Sequence, residues 1–244
     1  MSGFLLANVL DAARSLGPKP SDATPEAVRD WFLSEYLAKR GGGFNYDPAS
    51  FAAYELFRGA ASKELAVRYC KTNGNPKGRE QNASAIAAVA DYALANISRC
   101  HRIGFLAVEV GRAHGKSVYV GIKAPFMRVI ARDARVIVPG FRMSHRPNEA
   151  EIDVVCGITR AHLARDDYAA SDIEYLHAGP GPDGKRLFRP ILGRERTLPS
   201  ADEVDGLLDV YVRGIALLMV AGLESSPPNF KGYQVRNLDE PLFR

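Results

Sequence analysis

Cysteine is scarce in this chain and scattered. Cys70, Cys100 and Cys156 are odd in number and far apart, and neither a CxxC pair nor a Cys/His ligand spacing occurs. These patterns exclude the sequence signatures of a zinc site and of a disulfide scaffold, so no metal site or cofactor is expected. Reduced thiols fit a cytosolic protein. Long apolar runs are also missing. The most apolar stretch, residues 210–223, is interrupted by Arg213 and is too short to span a bilayer. The first residues, Met-Ser-Gly-Phe-Leu-Leu, have no basic residue ahead of the apolar ones, so no signal peptide is expected there. The expectation is a cytoplasmic protein with no membrane partner. Low-complexity tracts, fixed-period repeats, and the GxxxxGK[ST] and GxSxG signatures are absent as well.

What is present is an ordinary globular composition. Of 244 residues, 46% are hydrophobic and 25% charged, enough to bury one large core or two smaller ones. Residues 1–100 read as helical. Asn8 to Ser15 is a short amphipathic stretch. Thr24-Pro25-Glu26 is a helix start, with a hydroxyl N-cap, proline at the first helical position and an acid at the positive end of the dipole. Val28, Trp31, Phe32 and Tyr36 follow at helical spacing, and the glycines at 41–43 stop that helix. A second stretch runs from Asp47 to about Lys71 with a kink at Gly59. A third, rich in alanine, covers 83–99 with Ile86, Val89, Ala90, Ala93 and Ile97 on one side. Beyond residue 103 the period changes to two. Val118, Val120 and Ile122 alternate with Tyr119, Gly121 and Lys123, and Ala113-His114-Gly115 reads as the turn before them. Residues 126–130 and 135–138 make another strand pair. A helix over 149–164, strands at 173–176 and 187–192 joined by a Gly/Pro loop, and a long helix capped by Ser200 complete the chain.

Charge is distributed unevenly over these elements. Residues 101–146 hold nine Lys/Arg against two acids, Glu109 and Asp133, whereas the whole chain carries a formal +4. The two C-terminal helices are acidic. Basic strands are suited to phosphate, since each neutralised phosphate releases counterions. Arg142, His145 and Arg146 precede a helix N-terminus, which adds amide donors for an anion. Tyr119, Phe126 and Phe141 are interleaved aromatics of the kind that stack on bases when exposed. Some strand positives are also expected to pair with the acidic helices.

The order helix, strands, helix, strand over residues 83–176 is similar to the core of the PD-(D/E)xK nuclease group. That resemblance implies an acid, then an acid-x-Lys on the next strand, holding a divalent metal that activates water. Glu109 and Lys123 match two of the three positions, and Gly121 stands where the second acid belongs.

The fold expected from these features is α+β. A helical N-terminal half packs on a small, mostly antiparallel sheet with two C-terminal helices, and an αβββαβ-like core is compatible with the order. The expected division is a helical subdomain at 1–80, an α+β core at 81–224 and an irregular tail at 225–244, or one compact domain overall. The leading functional expectation is a non-catalytic nucleic-acid-binding protein, suited to be a subunit of a larger assembly. Its expected contacts are Lys123, Arg128, Arg142, His145 and Arg146, where strand ends meet a helix start. One alternative is a metal-dependent nuclease with atypical ligands around Glu109, Asp133 and Lys123. Another is a protein-interaction or self-associating module built on complementary basic and acidic surfaces.

Overall fold

The computed structural model describes residues 3–37, 44–164 and 168–238; the expected helix stop at 41–43 lies outside the described residues. The helical half begins with β1 (Leu6–Asn8), α1 (Val9–Ser15) and α2 (Pro25–Trp31), followed by α3 (Asp47–Phe57), α4 (Lys63–Thr72) and α5 (Arg79–Ala95). Asn8 and Thr24 cap α1 and α2 through their side-chain oxygens, as their types and positions imply. The expected kink at Gly59 is a full break. Gly59 adopts φ +68, open to a residue without Cβ, and Ser62 then caps α4 as a new helix.

Nine strands form two mixed sheets among the described residues, and the class is α+β as the element order implies. The single small sheet expected from the sequence is therefore two. The five-stranded sheet has the order β2-β5-β6-β7-β8, from β2 (Arg99–Arg102), β5 (Phe126–Ile130), β6 (Asp133–Gly140), β7 (Asp172–Pro180) and β8 (Arg186–Leu192). Helix α6 (Glu149–Leu163) crosses between the parallel strands β6 and β7. The sequence α5, β2, β5, β6, α6, β7 thus reproduces the helix–three strands–helix–strand order within one sheet. The hairpin of β3 (Phe105–Ala113) and β4 (Lys116–Ile122) leaves it and builds a four-stranded sheet, β1-β4-β3-β9, with β9 at Tyr233–Arg236.

The five-stranded sheet is covered on both faces, which explains why seven consecutive residues of β7 are buried rather than every second one. Leu176, Ala178, Phe126 and Ile137 face α3, α4 and α5 in one apolar cluster. Ile173, Tyr175, Val136 and Val138 face a second cluster shared with α1, α2, α6, α7 (Ala201–Val220) and the four-stranded sheet. The helical half at 1–80 is accordingly divided between two cores. The tail is not wholly irregular: Tyr233–Arg236 pairs in parallel with Phe105–Val108. Its aromatic neighbours cover the outer face of β4, where Tyr119 meets Phe230 with ring centroids 4.9 Å apart.

Candidate nucleic-acid interface

Arg128 does not belong to any exposed basic surface. Its side chain is 0% exposed, as is that of Glu174 on β7. The guanidinium donates to both Glu174 oxygens, at 2.7 and 2.9 Å, and to the Asn96 carbonyl at 3.3 Å, with the Phe57 ring 4.8 Å away. The Tyr92 hydroxyl donates to Glu174 at 2.6 Å, and burial together with that carboxylate pushes the Tyr92 phenol up to about 12. Arg128 is an internal counter-ion, because β5 is covered on this face by α3 and α5. The aromatics expected to stack on bases are also internal: Tyr119, Phe126 and Phe141 are all buried in the core.

The loop from β6 to α6 carries three of the other expected residues. Arg142 donates to the buried Asp11 carboxylate at 2.6 Å, and His145 Nε2 lies 2.6 Å from a Glu151 oxygen. Arg146 is exposed. The amides expected to receive an anion are already occupied. Asn148 caps α6 in a capping box whose Glu151 carboxylate accepts the Asn148 N–H at 3.0 Å. Beneath the loop, Tyr175 and His177 point from the same face of β7. The Tyr175 hydroxyl and His177 Nδ1 are buried without a hydrogen-bond partner. Gly140 makes room for that tyrosine: a Cβ there would lie 2.2 Å from its hydroxyl oxygen. Burial lowers the His177 pKa, and the positive charges of Arg189, Arg146 and Arg186 add to the effect.

Much of the remaining strand charge is matched internally. Arg189 pairs with Glu149, Arg196 with Asp153 and Glu149, Arg194 with Asp133, and Arg135 with Asp133. Glu109 is buried beside a register shift in the β3–β4 pair and accepts from Arg112 at 3.0 Å and from the Leu238 amide at 3.1 Å. Burial would raise its pKa, but hydrogen bonds from Ser117, Leu238 and Arg112 outweigh it and hold the carboxyl low. Lys123 follows the end of β4, and Ile122 pairs with Leu106, three residues along β3 from Glu109. That separation is roughly 10 Å of strand. Asp133 lies in the other sheet. The structure therefore does not assemble Glu109, Lys123 and Asp133, and the described residues contain no cluster of three or more His, Cys, Asp or Glu able to hold a metal.

Lys123 instead leads to a cleft of about 240 Å³ lined by Asp47, Phe51 and Tyr54 of α3, Arg102 of β2, Phe105 of β3 and Pro125. The Arg102 guanidinium lies 5.0 Å from the ring centroids of both Phe51 and Tyr54. The Lys123 ammonium sits 4.9 Å from the Phe105 ring and 3.5 Å from Asp47 Oδ1. Phe51 is exposed because the buried stripe of α3 runs through Ala49, Ala52, Ala53, Leu56 and Phe57 and misses it. On the opposite face of β2, which forms the edge of its sheet, Arg99 and His101 are exposed. Among the described residues no acid pairs with Arg99, His101 or Arg102. The sequence reading missed this cleft because it carried the preceding helix through residue 99. Strand β2 has only four residues, and no alternation of that length stands out from a helix end.

No family model matches the chain, and no curated protein matches it. A solved structure titled "Crystal structure of SSO0001" is similar over 78% of this chain and 84% of that chain, at 13% sequence identity and a TM-score of 0.28. At that score the likeness carries no argument about fold or function, and the residues described above stand as the basis for both.

Proposed function

We propose that this is a non-catalytic, cytoplasmic nucleic-acid-binding protein, and that its contact surface is the cleft with the adjoining β2 edge rather than the β6–α6 loop. The supporting observation is the unmatched charge at Arg99 and Arg102. Arginines elsewhere on the strands are largely bound to internal acids, whereas these two face solvent without one. Lys123 belongs to the same surface, its charge shared with a half-exposed Asp47. Arg146 is an outlying cation of the same kind. The arrangement lends no support to metal-dependent cleavage, because the oxygens of Glu109 are committed to Arg112 and to the backbone.

Phosphate contacts from Arg99 and Lys123 predict a modest affinity with a defined salt slope. For a single strand the slope of log K against log salt is about −1.4, or roughly a sevenfold loss between 50 and 200 mM salt. Fluorescence anisotropy with labelled oligonucleotides measures it. The R102E/K123E double variant should abolish binding at 50 mM salt while its thermal melt stays within a few degrees of the parent. Reversal of Arg142, already bound to Asp11, should have a much smaller effect. Binding that is insensitive to salt, or unaffected by R102E/K123E, would refute the proposal.

A further inference from the structure

Resting on that reading, we infer that the cleft takes one unpaired base of a single-stranded nucleic acid, with the phosphates lying outside it along the β2 edge. The lining of the cleft includes three aromatic side chains and a guanidinium: Phe51, Tyr54, Phe105 and Arg102. Arg102 lies over the rings of Phe51 and Tyr54 and Lys123 over that of Phe105, so an entering base stacks on the guanidinium plane that these rings support. At about 240 Å³ the space suits a single ring system rather than a duplex segment. An α-helix and two strand ends frame it, so no groove of duplex width is offered.

The carboxylate decides which part of a nucleotide enters. Asp47 lines the same cleft. Its Oδ2 accepts from Asn45 at 2.6 Å, while Oδ1 is held only by Lys123 at 3.5 Å, with its side chain 45% exposed. A phosphate placed there would meet a like charge. A base edge offering an N–H would find an acceptor with spare capacity. Lys123 then meets the backbone at the mouth, and Arg99 and His101 meet it where the strand passes over the β2 edge to the sheet's other face. A base inside and phosphates outside is the division of labour that stacking platforms with basic rims require.

The test uses the full chain, ten-nucleotide single strands carrying 2-aminopurine, and a hairpin duplex of the same composition. Single strands should bind at least tenfold more tightly than the duplex, with a change in 2-aminopurine fluorescence as the base enters. F51A should weaken single-strand binding roughly ten- to hundredfold, the range expected for one lost stacking face, and leave the salt slope unchanged. R99E should do the reverse, lowering the slope and sparing the fluorescence change. Phe51 is 36% exposed and packs on Tyr69 and Arg102, so F51A lowers the melting temperature by a few degrees, and binding is compared well below it with F51L as the better-packed control. Equal binding of duplex and single strand, with F51A like the parent, would overturn the base-cleft assignment and leave the general nucleic-acid reading standing. A mononucleotide competing as well as the ten-nucleotide strand would overturn the assignment to a strand. No binding of any nucleic acid at 50 mM salt would overturn the functional reading itself.

Discussion

Replacing Arg128 by alanine tests whether this residue is an internal counter-ion or a contact for a ligand. Both Arg128 and Glu174 are 0% exposed, and they share two hydrogen bonds at 2.7 and 2.9 Å. Truncating the arginine leaves a buried carboxylate with the Tyr92 hydroxyl at 2.6 Å and Arg135 at 3.7 Å. Breaking such a pair costs about 3–5 kcal/mol, chiefly from the charge left uncompensated. For a chain of this size that corresponds to a fall in Tm of roughly 6–20 °C. The R128M/E174L/Y92F triple variant removes both charges and the hydroxyl that would otherwise lose its acceptor. It should recover most of the loss, since apolar residues of similar volume replace buried ion pairs at little net cost. Urea and thermal unfolding of the three proteins measure this, with oligonucleotide affinity determined well below each Tm. A loss under 1 kcal/mol in R128A refutes the buried-pair argument, as does a triple variant no more stable than the single. A folded R128A that no longer binds nucleic acid would return Arg128 to the interface.

The loop floor supplies two more tests. Tyr175→Phe deletes a buried hydroxyl with no partner, so it should leave stability unchanged or raise it by up to about 1 kcal/mol; a loss above 1 kcal/mol would mean that the hydroxyl is bonded. The His177 pKa is lowered in the fold, so the unfolded chain binds the extra proton first. Its contribution to stability is complete above the unfolded value near 6.5 and is lost as pH falls from there toward the depressed folded value. His177→Gln should flatten the stability profile as pH falls below about 6.5, and an unchanged slope there would place the titration elsewhere.

Three helices with strong caps, two of them long, were readable from the sequence because their signals are local. Asn148 with Glu151, Ser200 with Glu203, and Thr24 ahead of Pro25 each satisfy backbone donors within one turn. Charge complementarity was readable in part: Arg189 of β8 pairs with Glu149 of α6, the strand-to-helix kind that the charge distribution implied, and Arg196, just beyond β8, pairs with Asp153. The short strands were not readable. β1, β2 and β9 have three or four residues each, and only pairing with β4, β5 and β3 makes them strands. Helix α5 ends at Ala95, so Ile97, expected on its buried side, is 58% exposed.

The candidate site shows the same division. Sequence determined that positive charge would concentrate between residues 101 and 146 and that Lys123 would stand near a strand end. It could not determine which charges meet acids, since Asp11, Asp47, Glu149 and Glu174 are brought to their partners from 40 to 131 positions away. Arg128 and Arg102 have the same chemistry and lie on neighbouring strands. Tertiary structure alone put one beneath α3 and α5 against a buried carboxylate and left the other on a sheet edge over two rings. Side-chain type sets what an arginine can do, but its desolvation and its partners are properties of the folded chain.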